Sequence, residues 1–218
     1  GMEEGGGDRF SEIERRLSCW NQRGQRQFED LRAFHEAIGE HRWFAERRLQ
    51  TTWSQLIRVY LSATIQSTDE DAVRNYQVDK LGREHGDTSL LELFPLPSPS
   101  TADWRYATWS SLPVLASRQN YQTTLGLPRI QGLRRLLTEH QPKAVVFYGT
   151  KYRDFWKQLI PTSGSSQHFE VAGSTIDITE HARTVYAICA HPARRGISSG
   201  YFSTVGRKLR PMLKEQAK

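Results

Sequence analysis

Apolar positions in the first part of the chain recur at helical spacing. Trp53, Leu56, Ile57, Tyr60, Leu61, Thr64 and Ile65 fall at i, i+3, i+4, i+7, i+8, i+11 and i+12, which is one face of an amphipathic helix. Asp69-Glu70-Asp71 supplies a cap and first-turn acids for a second helix, running through Tyr76 towards Leu81 and ended by Gly82. Residues 8 to about 85 therefore read as helical. The pattern changes near residue 88. Ser89-Leu90-Leu91-Glu92-Leu93-Phe94 reads as a strand, and Pro95-Leu96-Pro97-Ser98-Pro99 ends it. Residues 95–127 read mostly as loop, with Trp104, Tyr106, Trp109 and Tyr121 in it. Trp104, Tyr106 and Trp109 fit pinning the loop to the domain better than stacking on bases.

From 128 onwards helix and strand signals alternate. Pro128 suits a helix start, with Ile130, Leu133, Leu136 and Leu137 on one face. Ala144 to Tyr148 is a buried-strand run closed by Gly149. Thr150 is a cap candidate for a helix carrying Tyr152, Phe155, Trp156 and Leu159. Residues 168–171 and 174–178 flank Ala172-Gly173, a hairpin signal. Thr184 to Ala190 is the last strand, and Ser198 or Ser199 opens a basic helix. These elements predict an α/β fold: a small, mainly parallel sheet of three or four strands flanked by helices. A helical segment over 1–87 precedes an α/β core over 88–218, packed together as one domain.

Composition narrows the classes. The 218 residues suit one domain with a helical extension. Lys and Arg number 30 against 24 Asp and Glu, so the net charge of +6 leans modestly towards polyanionic partners. The two cysteines, Cys19 and Cys189, form no CxxC pair, and the histidines show no metal spacing, so no metal or other cofactor is expected. No apolar run approaches the roughly 20 residues of a membrane span, the acidic start lacks a signal-peptide pattern, and a reducing, cytoplasmic setting is expected.

The candidate chemistry sits at three strand ends: Glu92 to Pro97, Tyr148-Gly149-Thr150, and His191-Pro192-Ala193-Arg194-Arg195-Gly196. Parallel strands would bring all three to one edge, where open α/β sheets bind ligands. Gly149 permits close approach. Ser199 and the following amides offer a phosphate site. Arg194, Arg195, Arg207 and Lys208 add cations, and Tyr148, Tyr152 and Trp104 offer faces on which bases stack. The expected partner is nucleic acid.

On these residues the segment from about 88 to 210 resembles the uracil-DNA glycosylase superfamily. Its final motif, His-Pro-Ser-x-x between an apolar strand and a helix, is similar to His191-Pro192-Ala193-Arg194-Arg195, with Ala193 in place of Ser. Gly200-Tyr201-Phe202-Ser203 is similar to that family's tail. Pro142 to Gly149 resembles its middle strand. Leu90-Leu91-Glu92 resembles the strand on which some members carry a uracil-reading Asn, here Glu92. The resemblance implies a DNA-binding protein that flips a base into a pocket and excises it without a cofactor. It implies that His191 stabilises charge on the leaving base and that Arg194 or Arg195 enters or flanks the duplex. The Gly-x-Asp-Pro-Tyr and Gly-Glu-x-Pro-Gly motifs that position water in the family are absent, and no strand before Ser89 holds one. Either the chain is shortened relative to such proteins, or the sheet is rebuilt without that strand. Glu92 is then a possible substitute for the water-positioning group.

Two alternatives stand beside this reading. One is a non-catalytic nucleic-acid or nucleotide binding module on the same fold. The other is a phosphate-recognising enzyme of a different class, with residues 191–200 as its anion site. For each residue there is a plainer role: His191 satisfying a turn, Glu92 paired or capping, Arg194 and Arg195 solvated, Tyr148 in the core.

Overall fold

The computed structural model describes residues 6–100 and 102–215. The acidic start read above, residues 1–5, lies outside them. Among the described residues eight α-helices and four strands follow in the order α1 (Phe10–Gln22), α2 (Leu31–Ala37), α3 (Thr51–Ala63), α4 (Glu70–Asp79), α5 (Tyr106–Trp109), α6 (Arg118–His140), β1 (Ala144–Tyr148), α7 (Arg153–Leu159), β2 (Ser165–Val171), β3 (Ser174–His181), β4 (Thr184–Cys189) and α8 (Ser199–Glu215).

The sheet order is β1-β4-β3-β2. β1 and β4 are parallel, with Val146 opposite Ala187, while β4–β3 and β3–β2 are antiparallel. The sheet is therefore mixed, not mainly parallel. The cause is connection length. Ala172-Gly173 joins β2 to β3, and Ala182-Arg183 joins β3 to β4. Two-residue links turn the chain back on itself, whereas a parallel neighbour needs a crossover of about a dozen residues or more. Ala172 and Gly173 both have positive φ, 47° and 70°, which matches the right-handed twist of the flanking strands.

Side chains on β4 alternate between two cores. Val185, Ala187 and Cys189 face α3 and α8, packing with Val59, Tyr201, Phe202, Val205 and Leu209. Tyr186 and Ile188 face α6 and α7, packing with Ile130, Leu133, Leu136, Phe147 and Trp156. A third cluster, Ile57, Leu61, Val73, Tyr76 and Leu81, fastens α4 to the outer side of α3. The predicted face of α3 packs mainly into this third cluster, while Val59, off that face, meets the sheet-side core; Ile65, read as part of the face, lies past the helix end at positive φ and is exposed. α3 and α8 meet at Gly206, where a Cβ would press on the Val59 carbonyl and lie 2.7 Å from Ser62 Cβ. Close backbone approach of this kind admits only glycine.

The predicted strand at 89–94 is irregular chain, with a single bridge residue at Phe94. Leu93 and Phe94 are buried as expected. The carbonyls of Glu92 and Leu93 accept hydrogen bonds from the Arg129 guanidinium at 2.8 and 3.1 Å. Burial of apolar side chains does not by itself demand a ladder, provided the backbone groups find other partners. The segment read as loop up to 127 ends earlier. α6 starts at Arg118, capped by Ser117, whose side chain accepts the Asn120 N–H at 3.0 Å, and Pro128 lies inside it, not at its start. Thr150 caps no helix: it begins a one-turn 3₁₀ segment, Thr150–Tyr152, and α7 follows without a side-chain cap.

The aromatic residues of 95–117 hold that segment down. Trp104 donates to the Leu115 carbonyl at 2.8 Å and Tyr106 to the Pro97 carbonyl at 2.8 Å. The Tyr121 hydroxyl accepts the Leu96 N–H at 3.2 Å.

Candidate functional site

β1 and β4 are parallel, so their carboxyl ends share one edge, and the chain leaves them at Gly149 and at His191. The Gly149 N–H donates to the Cys189 carbonyl at 3.0 Å, which extends the pairing by one residue. Gly149 has φ +95°. Its carbonyl accepts the Trp156 indole N–H at 3.1 Å. A Cβ on Gly149 would lie 3.3 Å from the Tyr152 ring and 3.7 Å from His191 Cδ2. The turn brings the chain close against the imidazole.

His191 is partly buried and meets the Tyr148 ring edge-on, with centroids 5.4 Å apart. Its Nδ1 accepts the backbone N–H of Ala193 at 3.1 Å. A backbone N–H only donates, so Nδ1 carries the lone pair and the proton of the neutral ring is on Nε2. Burial lowers the His191 pKa, and the nearby Glu92 carboxylate opposes that shift. The ring is therefore a neutral imidazole presenting Nε2–H as a donor.

Tyr148 donates its hydroxyl to Glu92 Oε1 at 3.2 Å. Glu92 is held by its own backbone, through the Arg129 bond described above. Burial lowers the Arg129 pKa, with Tyr121 and Glu92 opposing. A guanidinium stays charged at neutral pH all the same. Glu92, Tyr148, Gly149 and His191 thus form one cluster, drawn from the 92–94 chain and the ends of β1 and β4.

The cations take different places. Arg194 reaches Ser174 at the tip of the β2–β3 hairpin, Nη1 to Oγ at 3.4 Å. Arg195 is exposed in the same loop. Ser199 begins α8, and its Oγ accepts from Gln55 Nε2 at 3.2 Å. Arg207 and Lys208 lie about 12 Å or more along α8 from Ser199, at 1.5 Å per residue. Arg207 is exposed, and Lys208 sits over the Phe169 ring at 4.2 Å from its centroid. They are not part of the His191 cluster.

Two residues of the site escape sequence reasoning. Arg129 follows Pro128 and looks like a solvated first-turn arginine, yet it anchors the Glu92 segment. Lys151, two residues after Gly149, lies 5.5 Å from the Tyr152 ring centroid and adds a cation to the same edge. The proximity of Lys151 to the Gly149 turn was the available signal for the second; nothing local signalled the first.

No family model matches the chain, no curated protein is similar to it, and no solved structure matches its fold. Among the described residues, no group of three or more His, Cys, Asp or Glu side chains is placed to hold a metal ion, and no helix is long and apolar enough to cross a membrane.

Proposed function

We propose that the His191 edge binds nucleic acid and receives an extruded base, in the manner of the uracil-DNA glycosylase superfamily, and that the same groups excise it. The observation that carries this reading is the Ala193 N–H bond to His191 Nδ1. It fixes a neutral ring whose Nε2–H suits a carbonyl oxygen that gains negative charge. Donors prepared for developing charge are among the strongest contributors to enzyme catalysis, about 10²–10³ in rate for one of them.

In this reading the C1′–N bond breaks and its electron pair passes to the base. His191 Nε2–H stabilises the resulting charge on a base carbonyl. Water adds its oxygen to C1′ and gives a proton to Glu92, which returns it to the departing base. Tyr148 and Arg129 hold Glu92 in place. Lys151, Arg194 and Arg195 take backbone phosphates, which position without reading sequence.

A second reading is binding without excision. One observation favours it: β1 is an edge strand, so the strand that carries the family's water-positioning motif has no counterpart among the described residues. The sheet in this reading is a rebuilt one.

The test is base release from uracil-containing single- and double-stranded oligonucleotides, measured as alkali-sensitive breaks, with binding recorded in the same samples. Excision predicts release by the wild type and a loss of about 100-fold or more in His191→Ala, with binding within about two-fold. Release that survives His191→Ala removes His191 from the mechanism. Binding without release supports the second reading. Absence of both overturns the proposal.

A further inference from the structure

At the opposite pole of the sheet, where β4 begins and β3 ends, lies an open groove of about 750 Å³ between the carboxyl-terminal ends of α6 and α7 and the β3–β4 turn. Its volume is in the range of small-molecule sites. We infer that this groove is a second binding site, separate from the His191 edge, for a small amphipathic anion: an apolar or aromatic body carrying one phosphate, sulfate or carboxylate group.

The floor supplies the apolar half. Leu159 and Tyr186 are buried core residues whose edges are exposed here, continued by Leu137 and Ile160. The rim supplies the charge. Arg134 and Arg183 both line the groove, and no Asp or Glu does. Arg134 Nε donates to the Gln158 carbonyl at 2.6 Å, which fixes that guanidinium against the wall. Arg183 stands exposed in the two-residue turn. His181 Nδ1 pairs with Ser163 Oγ at 3.2 Å beside it.

The helix ends work against an anion. Each helix carboxyl terminus carries about −0.5 charge, so two of them set about −1 against the +2 of the arginines. The balance stays positive, and the Arg134 bond already covers one terminal carbonyl of α7. A bare cation meets two arginines, and a bare inorganic anion gains nothing from the floor. Only a ligand with both parts uses the whole surface.

The probe is 1-naphthyl phosphate, titrated into the full chain by calorimetry, with inorganic phosphate and 1-naphthol as its separate halves. The expected result is one site, with each half binding at least ten-fold more weakly than the whole. Arg183→Gln lies in an exposed turn and leaves the fold intact; it should weaken the probe at least five-fold without moving the melting temperature. Arg134→Gln also frees the end of α7, so it serves as the second variant and is read only alongside its melting temperature. No binding of 1-naphthyl phosphate overturns the inference. So does inorganic phosphate binding as tightly as the probe, or affinity unchanged by Arg183→Gln.

Discussion

In the proposed function His191 would act through one proton, on Nε2. Its Nδ1 is occupied by the Ala193 N–H, and burial disfavours the imidazolium, so the folded pKa is lowered from the ordinary 6.5. The neutral donor persists below that pH and is lost only as pH falls through the lowered value. Base release should therefore be flat from neutral pH down to about 6.5 and fall only on its acid side. A rate that rises on acidification in this range contradicts a neutral donor. His35 on α2 follows the same sign for a structural reason. It is buried among the rings of Phe34, Phe44 and Trp53, and its Nδ1–H donates to the Leu31 carbonyl at 2.7 Å. Desolvation lowers its pKa, aided by Arg16 and Arg42 and opposed by the Leu31 carbonyl and Glu40. The unfolded chain takes up this proton near pH 6.5 and the folded chain only below it. Stability is present above pH 6.5 and declines as pH falls through the folded pKa. Urea midpoints at pH 7.5 and 5.5 should separate in the wild type and separate less in His35→Leu; equal separation in both would rule out His35 as the source.

At the scale of elements, two positions carry clear expectations. Gly206 lets α8 lie against α3, beside the Arg210 bond to the Ser62 carbonyl at 3.2 Å. Gly206→Ala forces backbone against backbone and should destabilise by about 1–3 kcal/mol or more, seen as a lower melting temperature. Ala172 occupies a left-handed turn position at φ 47°. Ala172→Asn should raise stability by about 1 kcal/mol, roughly 2–4 °C, since Asn–Gly is preferred in this turn. The hairpin was legible in the sequence because its turn residues are local, and β1 and β4 were legible as short apolar runs. The Leu90–Phe94 run was not, because apolar content reports burial and not hydrogen-bond partners; the carbonyls of Glu92 and Leu93 go to Arg129, far along the chain. Pro128 reads as a helix start although it lies inside α6, whose structural cap is Ser117. A mainly parallel sheet follows only if Leu90–Phe94 is a strand; it is not one, and Ala182-Arg183 is too short for any crossover, so the sheet is mixed.

At the scale of the molecule, α3 and α8 cover one face of the sheet and α6 and α7 the other, which leaves the carboxyl ends of β1 and β4 as the edge where Glu92, Tyr148 and His191 converge. That convergence was legible from the sequence as three strand ends on one edge, even though one of the three is not a strand. The loops around it, at Lys151 and at Arg194-Arg195, carry the cations that would contact the backbone phosphates of the proposed nucleic-acid partner. The most direct measurement is the dissociation constant of a uracil-containing duplex as a function of salt, for the wild type and for Lys151→Ala/Arg195→Ala. Each phosphate contact contributes a slope of about 0.9 in log affinity against log salt, so two contacts contribute about 1.8. Salt-sensitive binding is predicted, with a slope smaller by about that amount in the double variant. Binding with an unchanged slope, or no binding by the wild type, would contradict a nucleic-acid site at the His191 edge.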